Sequence, residues 1–570
     1  MPETDNHDNR GLALSQRTET RIMHTVFLVA LIGSAVFYRD RLLGDLSYYL
    51  WNFTAARDFA IFHNRWPNVL VQWPAILAVK MAAPLWLVAA AYSTAYTGLY
   101  YGVALLLRYA LKAPKAAAAF TLFFVAATTH CFIWPIDELA NGIALLFLAG
   151  PLLYGNRPWV RAAAVFAVIL TACFFHALAI GVAVYLLVFH ALGRKDGVRI
   201  PPLIAAAAAI LAAVAERVFW SPLEYEEAAK IDLSAFREHA VSALRYASGG
   251  ALLPMLLVLA AACAALWLAR RRLQLALLLV AALGFGGVVV ARYHFGNTFW
   301  VYLWHILTPL FAFPLLALAG GKTETRPPGL RVLLGVCAAA LLVHAAVAIR
   351  HDVRWLHMRQ ARVLRMANAG KPEQRLHTID GIARQQVGPF SWSVGDESLI
   401  LTSLDGPENA RMAAPEPPLR WHTRWSLPVN PAYFALPEKL EPEMFIPLNS
   451  SRPAAWTSEY AAESVLLECE APALAPGEAT EIPVTIRNRG EQVFPSRSDA
   501  GPVGVATLWV VEGRGRMTTP NATLLEVDVH DEYTLPVRVQ APDEELVGEL
   551  YPVFVIGGKL VAPASAKRVQ

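Results

Sequence analysis

The feature that most constrains this chain is the repetition of long apolar runs. A helix that crosses a bilayer needs roughly 20 predominantly apolar residues. Runs near that length begin at 22–38 and recur at 86–107, 116–133, 139–154, 160–175, 177–192, 200–219, 250–269, 273–291, 298–319 and 330–349. They predict a polytopic α-helical membrane domain over residues 22–349 with about eleven transmembrane helices. Composition agrees, because only 16% of the 570 residues are charged, against about a quarter in an ordinary soluble domain. The stretch 160–192 accommodates either a tight hairpin of two short helices or one long helix.

Residues 68–108 admit two spans, or one span preceded by a helix lying at the membrane interface. Pro67, Pro74, Lys80 and Pro84 interrupt the first half, which favours the interfacial helix. With a single span there, the basic clusters Arg10/Arg17/Arg21, Arg108/Lys112/Lys115, Arg157/Arg161, Arg194/Lys195/Arg199, Arg270/Arg271/Arg272 and Lys322/Arg326/Arg331 share one side. That side is expected to be cytoplasmic. The tail 1–21 is then cytoplasmic and residues 350–570 lie outside. The first apolar run lacks a small-residue cleavage site and reads as a retained helix. Ala-rich spans suggest a bacterial inner membrane with a periplasmic C-terminal region.

Beyond 349 the composition changes. Residues 350–461, rich in Pro, Trp and Arg, read as a periplasmic connector. Within it "SWSVGDESLILTSL" and "EPPLRWHTRWSLPVNPAYFALPEK" suggest short strands and ordered loops. From 462 to 570, alternating segments such as "EIPVTIRN", "VGVATLWVV", "YTLPVRVQ" and "LYPVFVI" are split by Gly, Pro and Asn turns. They predict an all-β sandwich. Four of five cysteines fall inside apolar runs, with no metal-ligand spacing. The net charge of +4 is dispersed, which argues against a nucleic-acid partner.

On this topology, polar residues gather at the outer membrane edge. The first outer loop carries Asp40, Arg41, Asp45, Asp58, His63 and Arg65; the next carries His130, Asp137 and Glu138; a later turn carries Arg292 and His294. Taken singly, a charge flanking a helix is usually solvated. Arg39 and Arg41 suit snorkelling to lipid phosphates, Asp137 and Glu138 suit capping of the following helix, and His176 reads as a buried, satisfied histidine. As a set they suit one task. A lipid-linked phosphate would rest against Arg or a metal, while a carboxylate within hydrogen-bond reach takes a proton from an acceptor hydroxyl.

The stretch "DLSYY" (Asp45–Tyr49), with "PIDELANGIALLFLAGPLL", "FFHALAIGVAVYLL" and "RYHFGNTFWVYLWHILTPL", resembles the GT-C superfamily of integral-membrane glycosyltransferases. The resemblance covers about residues 22–349. In place of the family's acid pair after the first helix, Asp40 and Asp45 are separated by "RLLG". The resemblance implies inverting transfer of a sugar from a polyprenyl-phosphate donor to a glycan, lipid or protein acceptor. It implies Asp45, or Asp40 in its stead, as general base, with Asp137 or Glu138 positioning the acceptor. A divalent metal (Mg or Mn) held by Asp45 and Asp137 is the cofactor such a site admits. Arg292 and Arg65, with His294 and His63 beside them, would hold the donor. "LAPGEATEIPVTIRNRGEQVFP" resembles Ig-like accessory domains. The alternatives are an O-antigen polymerase or ligase, an envelope assembly protein, and a lipid or solute transporter. Transporters place charge near the bilayer midplane, whereas the acids here sit at the ends of the apolar runs.

Overall fold

The computed structural model describes residues 5–128, 132–133, 138–193, 198–220, 240–241, 253–292, 298–320, 328–368, 373–379, 391–415, 427–447, 454–470, 474–475, 477–490, 494–498, 500–511, 514–517, 522–525, 528–529, 531–541, 549–563 and 565–566. The chain is mostly helical with a strand-rich C-terminal region. It divides into two compact units, Met1–His357 and Met358–Gln570.

In the first unit each predicted apolar run is helical over most of its described residues. The helices are α1 (Asp5–Val36), α2 (Asp45–Ala56), α3 (Val69–Lys80), α4 (Leu85–Leu105), α5 (Pro114–Ala127), α6 (Glu138–Leu152), α7 (Pro158–Phe175), α8 (Leu178–Leu192), α9 (Ile200–Ala215), α10 (Leu253–Leu268), α11 (Arg272–Arg292), α12 (Thr298–Gly320) and α13 (Pro328–Ala367). Among the described residues four segments are long and apolar enough to cross a membrane: Arg17–Val36, Pro158–Phe175, Ile200–Phe219 and Arg272–Ala291. Several of the others are apolar but shorter, among them α5, α6 and α8.

The ambiguous stretch 160–192 is two helices. His176 stands between them with extended backbone (φ −159°, ψ 138°). Ahead of α4, the segment 69–80 forms a separate 12-residue helix, too short to span at 1.5 Å per residue. A tight turn at 81–84 folds it back onto α4. Helix α6 lies at the centre, buried from Glu138 through Gly150. Around it Phe120, Phe123, Phe147 and Phe313 pack ring against ring.

In the second unit, residues 376–447 form a small parallel sheet. Its strands are β1 (Leu376–Ile379), β2 (Met412–Pro415) and β3 (Ile446–Pro447), in the order β2-β1-β3. Helix α14 (Val394–Ser403) joins β1 to β2. The short strands expected of "SWSVGDESLILTSL" are therefore replaced by a helix. Asp396 and Glu397 fall in its first turn, where carboxylates suit the helix dipole. The run Leu399–Ile400–Leu401 is buried all round, so it carries no periodicity that separates strand from helix.

Two further sheets enclose one core. One has the order β11-β5-β4-β14, built from β4 (Val465–Cys469), β5 (Ala479–Asn488), β11 (Glu532–Gln540) and β14 (Ser565–Ala566). The other has the order β10-β8-β12-β13, built from β8 (Gly504–Val511), β10 (Thr523–Leu524), β12 (Glu549–Ile556) and β13 (Lys559–Val561), with β9 (Arg514–Met517) also paired to β8; β6 (Arg497–Ser498) and β7 (Gly501–Pro502) form a separate short pair. Ile482, Val484 and Ile486 of the first sheet and Val505, Phe554 and Ile556 of the second fill the core. The alternation seen in the sequence is thus the inside-out alternation of a sandwich.

Candidate functional site

After α1 the chain turns through 37–44, and Gly44 takes the left-handed φ (56°) that launches α2. Asp45 opens this helix and is half-buried; a carboxylate suits that position because it faces the positive end of the helix dipole. Tyr49 stands one turn further along the same face, 3% exposed. The loop that follows returns to α2 through Phe62, whose ring packs on Tyr48 at 4.8 Å and Tyr49 at 5.3 Å. Gln72 of α3 pins the loop in a two-point clamp, donating to the Ala60 carbonyl (2.8 Å) and accepting from its N–H (2.9 Å).

These elements converge on Glu138, the first residue of α6 and nearly buried. Its Oε1 accepts from Tyr49 Oη (3.0 Å) and from Arg65 Nη1 (2.9 Å). Asn68 Nδ2 donates to Tyr49 Oη at 3.1 Å and reaches Glu138 Oε1 at 3.5 Å. One carboxylate oxygen therefore gathers the first loop, the start of α3 and the start of α6, through charge-assisted hydrogen bonds. His176 lies near enough to act on Glu138 electrostatically; its Nδ1 accepts from the Leu178 N–H. Burial, reinforced by the Glu138 carboxylate, pushes the Tyr49 phenol well above its usual range. Tyr49 is thus a neutral hydroxyl donor across the physiological pH range.

Arg41 overturns the snorkelling expectation. It is 2% exposed and donates from Nε to the Phe132 carbonyl (2.6 Å) and from Nη1 to the carbonyl and Oγ of Ser93 (2.8 and 2.5 Å). Its guanidinium also lies over the Phe132 ring. Burial pushes it down to about 9, which still leaves it charged at neutral pH. The physical reason is local supply: main-chain carbonyls within the protein take the place of lipid phosphates.

The expected site residues separate into groups. Arg65 and Glu138 come together with Tyr49 and Asn68, while Asp45 lies near enough to act electrostatically on Tyr49 and His176 on Glu138. Asp40, half-buried like Asp45, instead faces exposed His357, Oδ1 to Nε2 at 3.4 Å. His63 is exposed with a left-handed φ of 52°. Asp137 and His294 lie outside the described residues, as does the side chain of Arg292 at the end of α11. Tyr49 had a signal in the sequence, since it follows Asp45 by one helical turn. Asn68 had none, because its partners lie 19 and 70 residues away.

Among the described residues no three His, Cys, Asp or Glu side chains gather as a metal site needs. The donors that the resemblance names for a divalent ion are Asp45, half-buried at the head of α2, and Asp137, which lies outside the described residues. What the arrangement offers is a half-buried carboxylate, Asp45, one turn from a fixed Tyr–Glu–Arg–Asn network. No family model, no curated protein and no solved structure matches this chain.

Proposed function

We propose that this protein is a membrane glycosyltransferase that moves a sugar from a polyprenyl-phosphate donor to a glycan, lipid or protein acceptor at the outer face of a bacterial inner membrane. In this reading eleven spans place the N-terminus in the cytoplasm and the strand-rich region, an Ig-like accessory domain, in the periplasm. The observation that carries it is the placing of Asp45 at the head of α2, one turn from Tyr49, whose hydroxyl is held by Glu138 and Asn68.

Asp45 is half-buried, open enough to meet a substrate hydroxyl and fixed by the helix it starts. As general base it takes the acceptor's O–H proton while the acceptor oxygen forms a bond to the anomeric carbon. The bond from that carbon to the phosphate oxygen breaks, and its electron pair leaves with the polyprenyl phosphate. The configuration at the anomeric carbon inverts. Arg65, paired with Glu138, is the cation set against the donor phosphate in this reading. Glu138 is a positioning residue, since it holds Tyr49 and Arg65 and is itself nearly buried.

The test is Asp45→Asn, which keeps the side chain's size while removing the base. Turnover of a radiolabelled polyprenyl-phosphate sugar by membranes should fall by roughly 10²–10⁴, with unchanged protein abundance. Asp40→Asn should cost far less, because Asp40 faces exposed His357. If both variants transfer sugar at the wild-type rate, Asp45 is an ordinary helix-capping acid and the reading is lost.

A further inference from the structure

Helix α3 is apolar on both faces. Inward it buries Val71, Ala75, Ile76 and Val79 with one polar side chain, Gln72, on the Ala60 clamp, and Asn68, just ahead of the helix, is fully buried on Tyr49. Outward it shows a second apolar row. Trp66, Leu70, Trp73, Leu77 and Met81 are 42%, 46%, 54%, 50% and 73% exposed. Their spacing of four, three, four and four residues lays them along one helical stripe. The stripe continues past the turn into exposed Trp86 and Leu87 of α4. In water such a stripe would be an aggregation liability; against lipid it is the expected surface.

The helix lengths give the stripe a direction. Helix α4 with its π-helical continuation runs from Leu85 to Ala110, about 39 Å at 1.5 Å per residue. That matches a bilayer including its headgroup layers, roughly 40–45 Å. Exposed Lys80 stands at one end, just before the turn, and Arg108 at the other. Helix α6, at 15 residues, is only about 22 Å long. Its first residue, Glu138, is reached by Asn68, which stands just ahead of helix α3. It leaves the turn at 81–84 and runs back along α4 for about 18 Å, ending beside Tyr49 and Glu138.

We propose that α3 is a half-span inserted steeply into one leaflet, with its 81–84 turn at the headgroups and its Asn68 end deep among the acyl chains. This differs from a helix lying flat in the interface. The Tyr49–Arg65–Asn68–Glu138 network then lies beneath the headgroup level, walled from lipid by α3. The occupant of the outward stripe is lipid hydrocarbon. A ligand reaching the network from that side passes Trp66, whose ring packs on Phe174 of α7 at 5.5 Å, and carries a lipid chain of its own. The inference rests on the membrane reading and not on sugar transfer.

The experiment measures depth residue by residue in the full chain, reconstituted into phosphatidylcholine vesicles. Dansylalanine replaces Met81, Leu77, Trp73 or Leu70 singly, which leaves the native cysteines untouched. Quenching is compared for lipids spin-labelled at the headgroup and at the twelfth acyl carbon. The ratio of deep to shallow quenching should rise stepwise from Met81 to Leu70, by about twofold or more across the stripe, given a leaflet about 15 Å deep. Equal ratios at all four positions would mean a helix lying flat, and would overturn the half-span. Quenching by aqueous iodide but by neither lipid label would overturn the lipid occupant as well. Probes at buried positions 71 and 75 should respond to none of the quenchers; if they do, that variant is misfolded, and the paired substitutions Leu70→Cys and Leu77→Cys, read by spin-label accessibility to oxygen against nickel chelate, decide the same question. Either outcome is separable from Asp45→Asn, which reads turnover alone.

Discussion

Two regions of the molecule each bury an arginine against a glutamate, and the pairs are built differently. In the second unit Arg359 meets Glu397 with both side chains at most 1% exposed. The bond is two-pronged, Nε to Oε2 at 3.1 Å and Nη2 to Oε1 at 2.8 Å, and Ser393 Oγ adds a third contact at 2.5 Å. In the first unit Arg65 meets Glu138 through one nitrogen, with Arg65 13% exposed. The remaining hydrogen bonds to that carboxylate come from Tyr49 and Asn68, neutral groups set on two other segments. A closed pair fastens a fold. A more open pair, shared with neutral donors from two other segments, holds those segments in place.

The largest effect expected from this contrast is in the closed pair. Arg359→Met leaves the Glu397 carboxylate buried without its cation, so the second unit should lose about 3–5 kcal/mol, read as a lowered thermal midpoint of the strand-rich region. Arg359→Met with Glu397→Leu should recover most of it, because replacing both partners removes the desolvated charge. If the double variant is no better than the single one, the pair acts through its neighbours and the contrast weakens.

A smaller stability effect, with a larger functional one, is expected at the open pair. Glu138→Gln keeps an acceptor for Tyr49 while removing the charge opposite Arg65. Partial exposure lets Arg65 recover hydration, so the loss should be about 2–3 kcal/mol. Turnover should nonetheless fall on the order of 10²-fold, through misplacement of Tyr49 and Arg65. Stability falling as far as in Arg359→Met, with the turnover of the surviving protein unchanged, would make Glu138 as purely structural as Glu397.

How far the sequence carried each region follows from how local the signal is. Apolar runs are a property of consecutive residues, so the helices of the first unit stood out, as did strands such as β5 and β11 with their period of two. The break at His176 stayed open between one long helix and two short ones, because apolar residues flank it on both sides. The helix over 394–403 was hidden because Leu399, Ile400 and Leu401 are all buried. At the site, Asp45 and Glu138 could be singled out by their place at the ends of apolar runs. Nothing near Arg41 or Asn68 in sequence announces a partner: Arg41 bonds to residues 52 and 91 positions away, and Asn68 to one 70 positions away. Convergence of that kind is made by packing, and composition does not record it.

The finest contrast between the regions is the solvent each faces, and two leucines isolate it. Leu70 on α3 and Leu560 on β13 are 46% and 47% exposed, so the protein covers them almost equally. If exposure alone mattered, lysine at either place would be tolerated alike. Leu70 lies in a stripe of tryptophan, leucine and methionine on a helix that is apolar on both faces, whereas β13 belongs to a sheet that buries its apolar face and shows water the other. Leu70→Lys should therefore cost about 1–2 kcal/mol, less than a charge at the bilayer centre because the stem can snorkel towards the headgroups. It would be read as a lowered unfolding midpoint in lipid nanodiscs. Leu560→Lys should stay within about 0.5 kcal/mol in the same assay. Transferring both variants to detergent micelles, which let a long side chain reach water more easily, should narrow the gap. Equal tolerance at the two positions in nanodiscs would mean that α3 faces water, and that Asn68 and Gln72 are buried for reasons unconnected with lipid.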